Sequence, residues 1–258
     1  MAGKVWFVGA GPGDPELITV KGMHLLQQAG AVLYAGSLVD HAVTLYAPDG
    51  CEIRDSKDMT LEEITGWLIE QARCHETVVR LQTGDPGLYG ALVEMVRPLD
   101  VANITWAVIP GVSSAMASAA AAGETLTLPE VTQTVILTRV AGRTPMPDGE
   151  ELEALAAHHT TLCIFLSITL LSEVQRALRA AGWSEDAPVL VVQKASWPSE
   201  EKIVRGTLRD IRDKCRSEKI TSQAMIIASP ALGARQWPEI QHSKLYDAAF
   251  SHRFRKAR

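Results

Sequence analysis

Cysteine is scarce: Cys51, Cys74, Cys163 and Cys215 are the only four in 258 residues. None stands at zinc or iron–sulfur spacing, and a disulfide framework does not suit a chain of this length. Positive charge is not in excess either. The formal net charge is −5, so composition offers no footing for a nucleic-acid partner. No uninterrupted apolar stretch is long enough to span a bilayer. Met1-Ala2-Gly3-Lys4 runs straight into Val5-Trp6-Phe7-Val8, without the apolar core or cleavage pattern of a signal peptide. The expectation is a soluble, cytoplasmic protein with no membrane partner. Catalytic signatures are missing too. Gly-x-Ser-x-Gly, the metal-hydrolase motifs and the Gly-Lys-Ser/Thr of a phosphate loop are all absent. No metal site is expected.

What the sequence does have is alternation. Apolar runs at Val5–Val8, Ala31–Ala35, Cys51–Arg54, Val78–Leu81 and Ile104–Ile109 read as strands. Helical periodicity lies between them, over Thr19–Ala29, Asp40–Tyr46, Thr60–Arg73 and Ala91–Pro98. Thr60 followed by Glu63 fits a capping box. Strands alternating with helices predict a mainly parallel α/β domain over roughly residues 1–120. Gly123–Thr127 reads as a link, dividing the chain into domains 1–122 and 128–258. The second half carries strands at Thr134–Thr138, Thr161–Leu166, Pro188–Val192 and Gln223–Ala228, with an edge strand in Glu201–Thr207. Helices are predicted at Glu150–Ala157, Leu170–Ala181 and Leu208–Cys215. The tail from Gly233 is mixed and ends basic, with Arg253, Arg255, Lys256 and Arg258, and reads as solvated.

Three glycine-rich loops follow predicted strands, at 9–15, 83–90 and 110–114. Ligands of open α/β sheets collect outside the carboxyl ends of the strands. The first loop is superficially like a dinucleotide fingerprint, but Pro12 sits mid-turn and has no N–H to offer a phosphate. By itself it reads equally as a strand-terminating turn. Asp14 and Asp85 oppose negative charge and suit hydroxyls, an amine or a sulfonium-bearing cofactor; each could instead cap its own turn. Arg54, Lys57, Arg80, Arg139, Arg143 and Lys194 lie near predicted strand ends. If they face one cleft, they suit a polycarboxylate.

In this order the loops resemble the motifs of the tetrapyrrole (corrin/porphyrin) methyltransferases. Gly9-Ala10-Gly11-Pro12-Gly13-Asp14-Pro15 is similar to the first motif. Arg80-Leu81-Gln82-Thr83-Gly84-Asp85-Pro86-Gly87-Leu88-Tyr89-Gly90 is similar to the second and most specific, and Pro110-Gly111-Val112-Ser113-Ser114 to the third. The resemblance covers essentially the whole chain, with the part past Pro230 the least familiar. Tyr34-Ala35-Gly36-Ser37-Leu38-Val39, the run Leu128–Arg139 with Gly142-Arg143-Thr144-Pro145, Ala181–Pro188 and Lys194-Ala195-Ser196-Trp197-Pro198 resemble one branch. That branch methylates carbon 11 of precorrin-4 or cobalt-precorrin-4 in cobalamin synthesis.

The resemblance implies two α/β domains of the tetrapyrrole methylase type, with an active-site trough between them. It also implies a homodimer, S-adenosylmethionine as co-substrate and a tetrapyrrole polycarboxylate as substrate. By similarity, Pro12 touches the cofactor, Thr83, Gly84 and Asp85 meet its amino-acid and ribose parts, and Leu88 adds backbone contacts. Ser113 and Ser114 hold the methionine portion, and Leu166 and Ala195 frame the adenine. Arg139, Arg143 and Lys194 are the candidates for substrate carboxylates. No catalytic acid or base is marked. The rival readings are a sibling enzyme acting at another ring carbon, a nucleotide-binding oxidoreductase, and a non-catalytic binding protein.

Overall fold

A computed structural model describes residues 2–240, 243–251 and 253–257. The chain forms two compact units, Met1–Ala117 with Lys194–Glu201, and Ser118–Gln193 with Lys202–Arg258. The sequence alone divides the chain at 123–127 and leaves 194–201 in the second half. The chain instead gives that segment to the first unit, for a reason that lies in its hydrogen bonds to the first glycine-rich loop.

The first unit contains β1 (Lys4–Gly9), α1 (Val20–Leu26), β2 (Ala31–Tyr34), β3 (Glu52–Asp55), α2 (Leu61–Cys74), β4 (Thr77–Gln82), α3 (Leu92–Val101) and β5 (Thr105–Ile109). The strands form one sheet in the order β3-β2-β4-β1-β5, and every pairing is parallel. A parallel sheet is covered on both faces, so its inner strands are apolar on both sides. Val5, Phe7, Leu33 and Val78 pack with Leu68, Met95 and Leu99. Val8, Val32, Val79 and Leu81 face the other way, against Leu26 and Val43. The edge strand β3 stays largely exposed. A short helix is predicted over Asp40–Tyr46; His41–Tyr46 form a 3-10 helix with Asp40 as its cap. The capping box is made: Glu63 N–H donates to Thr60 Oγ1 (3.2 Å) and Thr60 N–H to Glu63 Oε2 (2.7 Å).

Two consequences follow for a site. Parallel strands send all their carboxyl ends to one edge of the sheet. The order places β4, β1 and β5 side by side, so the loops that leave them are neighbours.

α4 (Ser114–Ala122) follows β5, and its Ala115, Ala117, Ala119 and Ala122 are buried. The second unit then contains β6 (Val135–Arg139), α5 (Leu152–Ala156), β7 (Thr161–Phe165), α6 (Leu171–Ala180), β8 (Pro188–Gln193), β9 (Lys202–Thr207), α7 (Ile211–Ser217) and β10 (Ala224–Ala228). Its sheet runs β6-β7-β10-β8-β9. β6 pairs parallel with β7, and the remaining pairings are antiparallel. Leu162, Ile164, Val189, Val191 and Ile226 pack against Leu152, Val174, Leu178 and Ile211 of the three helices. β9 is the edge strand that the sequence predicts. In the tail, Arg255 Nη2 donates to Leu245 O (2.9 Å); Arg258 lies outside the described residues. Among the described residues no helix is long and apolar enough to cross a membrane. Nor do three or more His, Cys, Asp or Glu side chains group to hold a metal ion.

The thiols divide by burial. Cys74 is exposed, while Cys163 and Cys215 are buried. Burial pushes the Cys163 thiol up to about 12 and the Cys215 thiol up to about 11. A disulfide reagent is therefore expected to titrate Cys74 in the native protein and to reach Cys163 and Cys215 only after denaturation. The unfolded thiols ionise near 9.0 and the folded ones do not. The unfolded state then holds fewer protons, and stability falls as pH rises from about 9 towards 11. Urea midpoints across that range, in wild type and Cys163→Ser, provide the measurement.

Candidate functional site

The three glycine-rich loops meet at the carboxyl edge of the first sheet. Pairing continues past the ends of β1 and β4. Ala10 N–H donates to Gln82 O (2.8 Å) and Gly84 N–H to Gly11 O (2.8 Å), closing an isolated antiparallel bridge. Gly11 and Gly84 hold φ of 78° and 60°, in the left-handed region that favours glycine. The third loop presses on both. A Cβ on Gly111 would overlap the Gly84 carbonyl oxygen and lie 2.8 Å from Gly9 Cα. A Cβ on Gly9 would lie 2.6 Å from Gly111 N and 2.6 Å from Gly84 O. The glycines are thus required by the approach of one backbone to another, whatever ligand they serve.

Asp85 ties two of the loops. Its Oδ1 accepts from Gly87 N–H (2.8 Å) within its own turn, and its Oδ2 accepts from Gly111 N–H (2.9 Å). The turn-capping reading therefore holds for Asp85, with a bond to another loop in addition. Asp14 caps too, its Oδ1 accepting from Glu16 N–H (2.9 Å). Gln82 lies buried beneath the second loop and its side-chain amide donates to Gly90 O. Thr83, half-buried between these residues, has no hydrogen-bond partner for its hydroxyl among the described residues. Ser113 Oγ accepts from Ala115 N–H (3.4 Å) at the start of α4, and Ser114 opens that helix. Pro12 is buried and Leu88 half-buried.

Segment Lys194–Glu201 joins this cluster. Trp197 Nε1–H donates to Pro12 O (2.9 Å), and Asp14 N–H donates to Ser196 Oγ (3.0 Å). Ala195 is buried, 6% exposed, in the same segment. Lys194 pairs with Glu200 and stands 4.8 Å from the centroid of the Trp197 ring. The residues Pro12, Thr83, Gly84, Asp85, Leu88, Ser113, Ser114, Lys194 and Ala195 accordingly share the first unit.

Leu166, Arg139 and Arg143 belong to the second unit. Leu166 follows β7 at a φ of 53° and is 66% exposed. Ser167 beside it locks the ends of β6 and β7 together, donating to Phe165 O (2.7 Å) and accepting from Val140 N–H (2.9 Å). The sequence offers Arg139 to a substrate carboxylate. Its guanidinium is engaged with its own loop, Nη2 donating to Pro145 O (2.7 Å) and Nη1 to Thr144 O (3.2 Å). Arg143, at the exposed tip of that loop, makes no ion pair among the described residues.

The other cations near strand ends separate in the same way. Arg54 is exposed on β3. Lys57 pairs with Asp55 at 3.8 Å. Arg80 is buried on β4 and its Nη1 donates to Ser56 Oγ (2.8 Å). Burial pushes its guanidinium down to about 10, with Asp55 opposing the shift. Trp197, Ser196 and Gln82 stand inside motifs read from the sequence, but the sequence gives none of them a role in the site. Trp197 and Pro12 are 185 positions apart, and nothing local marks them as partners.

Comparison with known proteins agrees with this arrangement. The model of the tetrapyrrole (corrin/porphyrin) methylases matches residues 4–212. The cobalt-precorrin-4 C(11)-methyltransferase of Priestia megaterium is 49% identical over 98% of this chain and 98% of its own. The precorrin-4 C(11)-methyltransferase of Pseudomonas aeruginosa is 43% identical over 97% of this chain and 98% of its own. A crystal structure of a cobalt precorrin-4 methyltransferase superposes with a TM-score of 0.86 at 50% identity, covering 89% of this chain and 95% of that one. The uroporphyrin-III C-methyltransferase of Thermus thermophilus, complexed with S-adenosylhomocysteine, gives 0.74 at 31% identity over 91% of this chain and 100% of its own. With its sheet order, its three converging loops and matches that run nearly end to end, the chain belongs to the tetrapyrrole (corrin/porphyrin) methylases.

Proposed function

We propose that the protein is a S-adenosylmethionine-dependent methyltransferase that methylates carbon 11 of precorrin-4 or cobalt-precorrin-4, giving precorrin-5 or cobalt-precorrin-5A in cobalamin biosynthesis. The observation that carries this reading is the meeting of loops 9–15, 83–90 and 110–114 as bare backbone with no Lys or Arg among them. It is read together with relatives of that activity that match almost the whole chain. With Pro12 offering no N–H and Asp14 and Asp85 opposing negative charge, these loops suit a cofactor with an amino acid, a ribose and a positive sulfur better than pyrophosphate.

Bound S-adenosylmethionine supplies an activated methyl group. The chain's own part is binding and alignment, and well-oriented reactants recover roughly 7–11 kcal/mol of a barrier. That accounts for a site without an activated nucleophile. Pro12, Thr83, Gly84, Leu88, Ser113 and Ser114 are assigned to the cofactor, with Asp85 contributing through the acceptor capacity that its two loop bonds leave. Leu166 and Ala195 are assigned to the adenine. Among the substrate cations, Arg143 is the one with no ion pair among the described residues, Arg139 shapes the loop that presents it, and Lys194 is held by Glu200. The protein is proposed to act as a cytoplasmic homodimer.

Two measurements test this. Photocrosslinking of labelled S-adenosylmethionine should tag peptides from the three loops, and tags elsewhere would move the site. Anaerobic turnover with precorrin-4 and with cobalt-precorrin-4 should place the methyl on carbon 11. Methylation at another carbon would make the protein a sibling enzyme, and binding without turnover would make it a non-catalytic one.

Arg143→Ala should raise KM for the macrocycle about fivefold with kcat preserved, the loss of one exposed ion pair of about 1 kcal/mol. Steady-state kinetics decides it. A fall in kcat at unchanged KM would show that Arg143 acts on the reacting centre and not in docking.

A further inference from the structure

Segment Lys194–Glu201 is built to grip the first glycine-rich loop. Two adjacent residues, Ser196 and Trp197, bond to Asp14 N–H and Pro12 O respectively, on either side of Gly13. The indole fills the place where a side chain at 13 would be. A Cβ there would overlap Cδ1 and Nε1 of Trp197 and lie 2.8 Å from its Cγ. The gripping segment is itself held. Ser196 N–H donates to Glu201 Oε2 (2.6 Å), and Lys194, paired with Glu200, stands against the ring. Lys194, Ser196 and Ser199 take φ of 49°, 68° and 64°. Three non-glycine residues in that region within one short segment persist only where the surroundings over-determine them.

We infer that Trp197 is a positioning residue for cofactor binding: its indole locks the Pro12 loop to the segment carrying Ala195, so that the two move as one body. The inference rests on the proposal that both Pro12 and Ala195 face the cofactor. It explains why Gly13 has no side chain, which the fold of the loop alone does not require: Gly13 is absent from the positive-φ glycines. It also gives a purpose to an indole N–H aimed at a carbonyl whose own residue, proline, can donate nothing in return.

The test uses the full chain with Trp197→Phe, which keeps an aromatic ring and removes the donor. Gly13→Ala serves as the second variant, since it dislodges the indole without altering Trp197. Trp237→Phe, in the exposed tail, is the control. Hydrogen exchange of the ligand-free proteins reads the grip directly, and calorimetry with S-adenosylhomocysteine reads its use. Both variants should speed exchange in the peptide covering 9–18 at least tenfold and weaken S-adenosylhomocysteine binding about tenfold. The steady-state effect should fall on KM for S-adenosylmethionine, with KM for the macrocycle and the melting temperature close to wild type.

Unchanged exchange and unchanged affinity in both variants would overturn the inference while leaving the cofactor assignment of the loops intact. Faster exchange with unchanged affinity would show a grip on a loop that does not hold the cofactor. That result would overturn the positioning role together with the assignment of Pro12, and crosslinking outside the 9–15 loop would then accompany it.

Discussion

Gly111→Ala is expected to remove most of the affinity for S-adenosylhomocysteine while leaving both sheets folded. The added methyl overlaps the Gly84 carbonyl oxygen and stands 2.8 Å from Gly9 Cα. Neither neighbour is a side-chain end that can swing away. β1 pairs along its length with both β4 and β5, so the strands cannot spread to make room. The loops beyond them must part instead. Overpacking of this kind costs about 1–3 kcal/mol. If the loops relieve it by separating, the ligand meets a surface of the wrong shape, with a loss on the order of 100-fold, about 2.7 kcal/mol. Calorimetry gives the affinity, and circular dichroism confirms that the fold survives. An alanine variant that binds within threefold of wild type would show that the packed backbone at Gly111 is no part of the ligand wall.

The second large effect is expected at Asp85. Its carboxylate accepts two backbone N–H groups, one from its own turn and one from Gly111, 26 positions away. Hydrogen bonds to a charged acceptor are worth about 1.5–3 kcal/mol, and an orphaned donor adds its desolvation cost. Asparagine has one acceptor oxygen, and its NH2 would confront whichever N–H is left. Asp85→Asn and Asp85→Ala should therefore weaken S-adenosylhomocysteine binding similarly, by about 10–30-fold, or roughly 1.4–2 kcal/mol. If asparagine restored wild-type affinity and alanine did not, capping of the 85–87 turn would be the whole of its function. The bond to Gly111 would then have no bearing on binding.

Much of the fold follows from local pattern. The apolar runs of β1, β2, β4 and β5 are rich in β-branched and aromatic residues and alternate with helices, so their existence and parallel direction read directly. The Thr60–Glu63 box is legible because both partners lie within one helical turn. His41–Tyr46 reads as helical because 3-10 turns share the short spacing of an α-helix; the structure has only the tighter form. The site is legible to the extent that its glycines follow strands. The tasks of individual polar residues are less so. Arg139 has the composition of a carboxylate ligand, yet it bonds Thr144 and Pro145 carbonyls that sequence cannot place beside it.

By itself the sequence determined that three bare loops would leave strand ends, that they would lack cations, and that one of them would have a proline where a phosphate loop needs an N–H. These are properties of single segments, fixed by residue type and near-neighbour chemistry. Only the tertiary structure decided which loops touch. The order β3-β2-β4-β1-β5 brings residues 9–11, 84–85 and 111 into contact, and hydrophobic burial on both faces of the sheet sets that order without leaving a mark in any one loop. It decided as well that Trp197 closes on Pro12 and Asp85 on Gly111. A hydrogen bond depends on distance in space, and the chain brings those partners together only after each strand has found its neighbour.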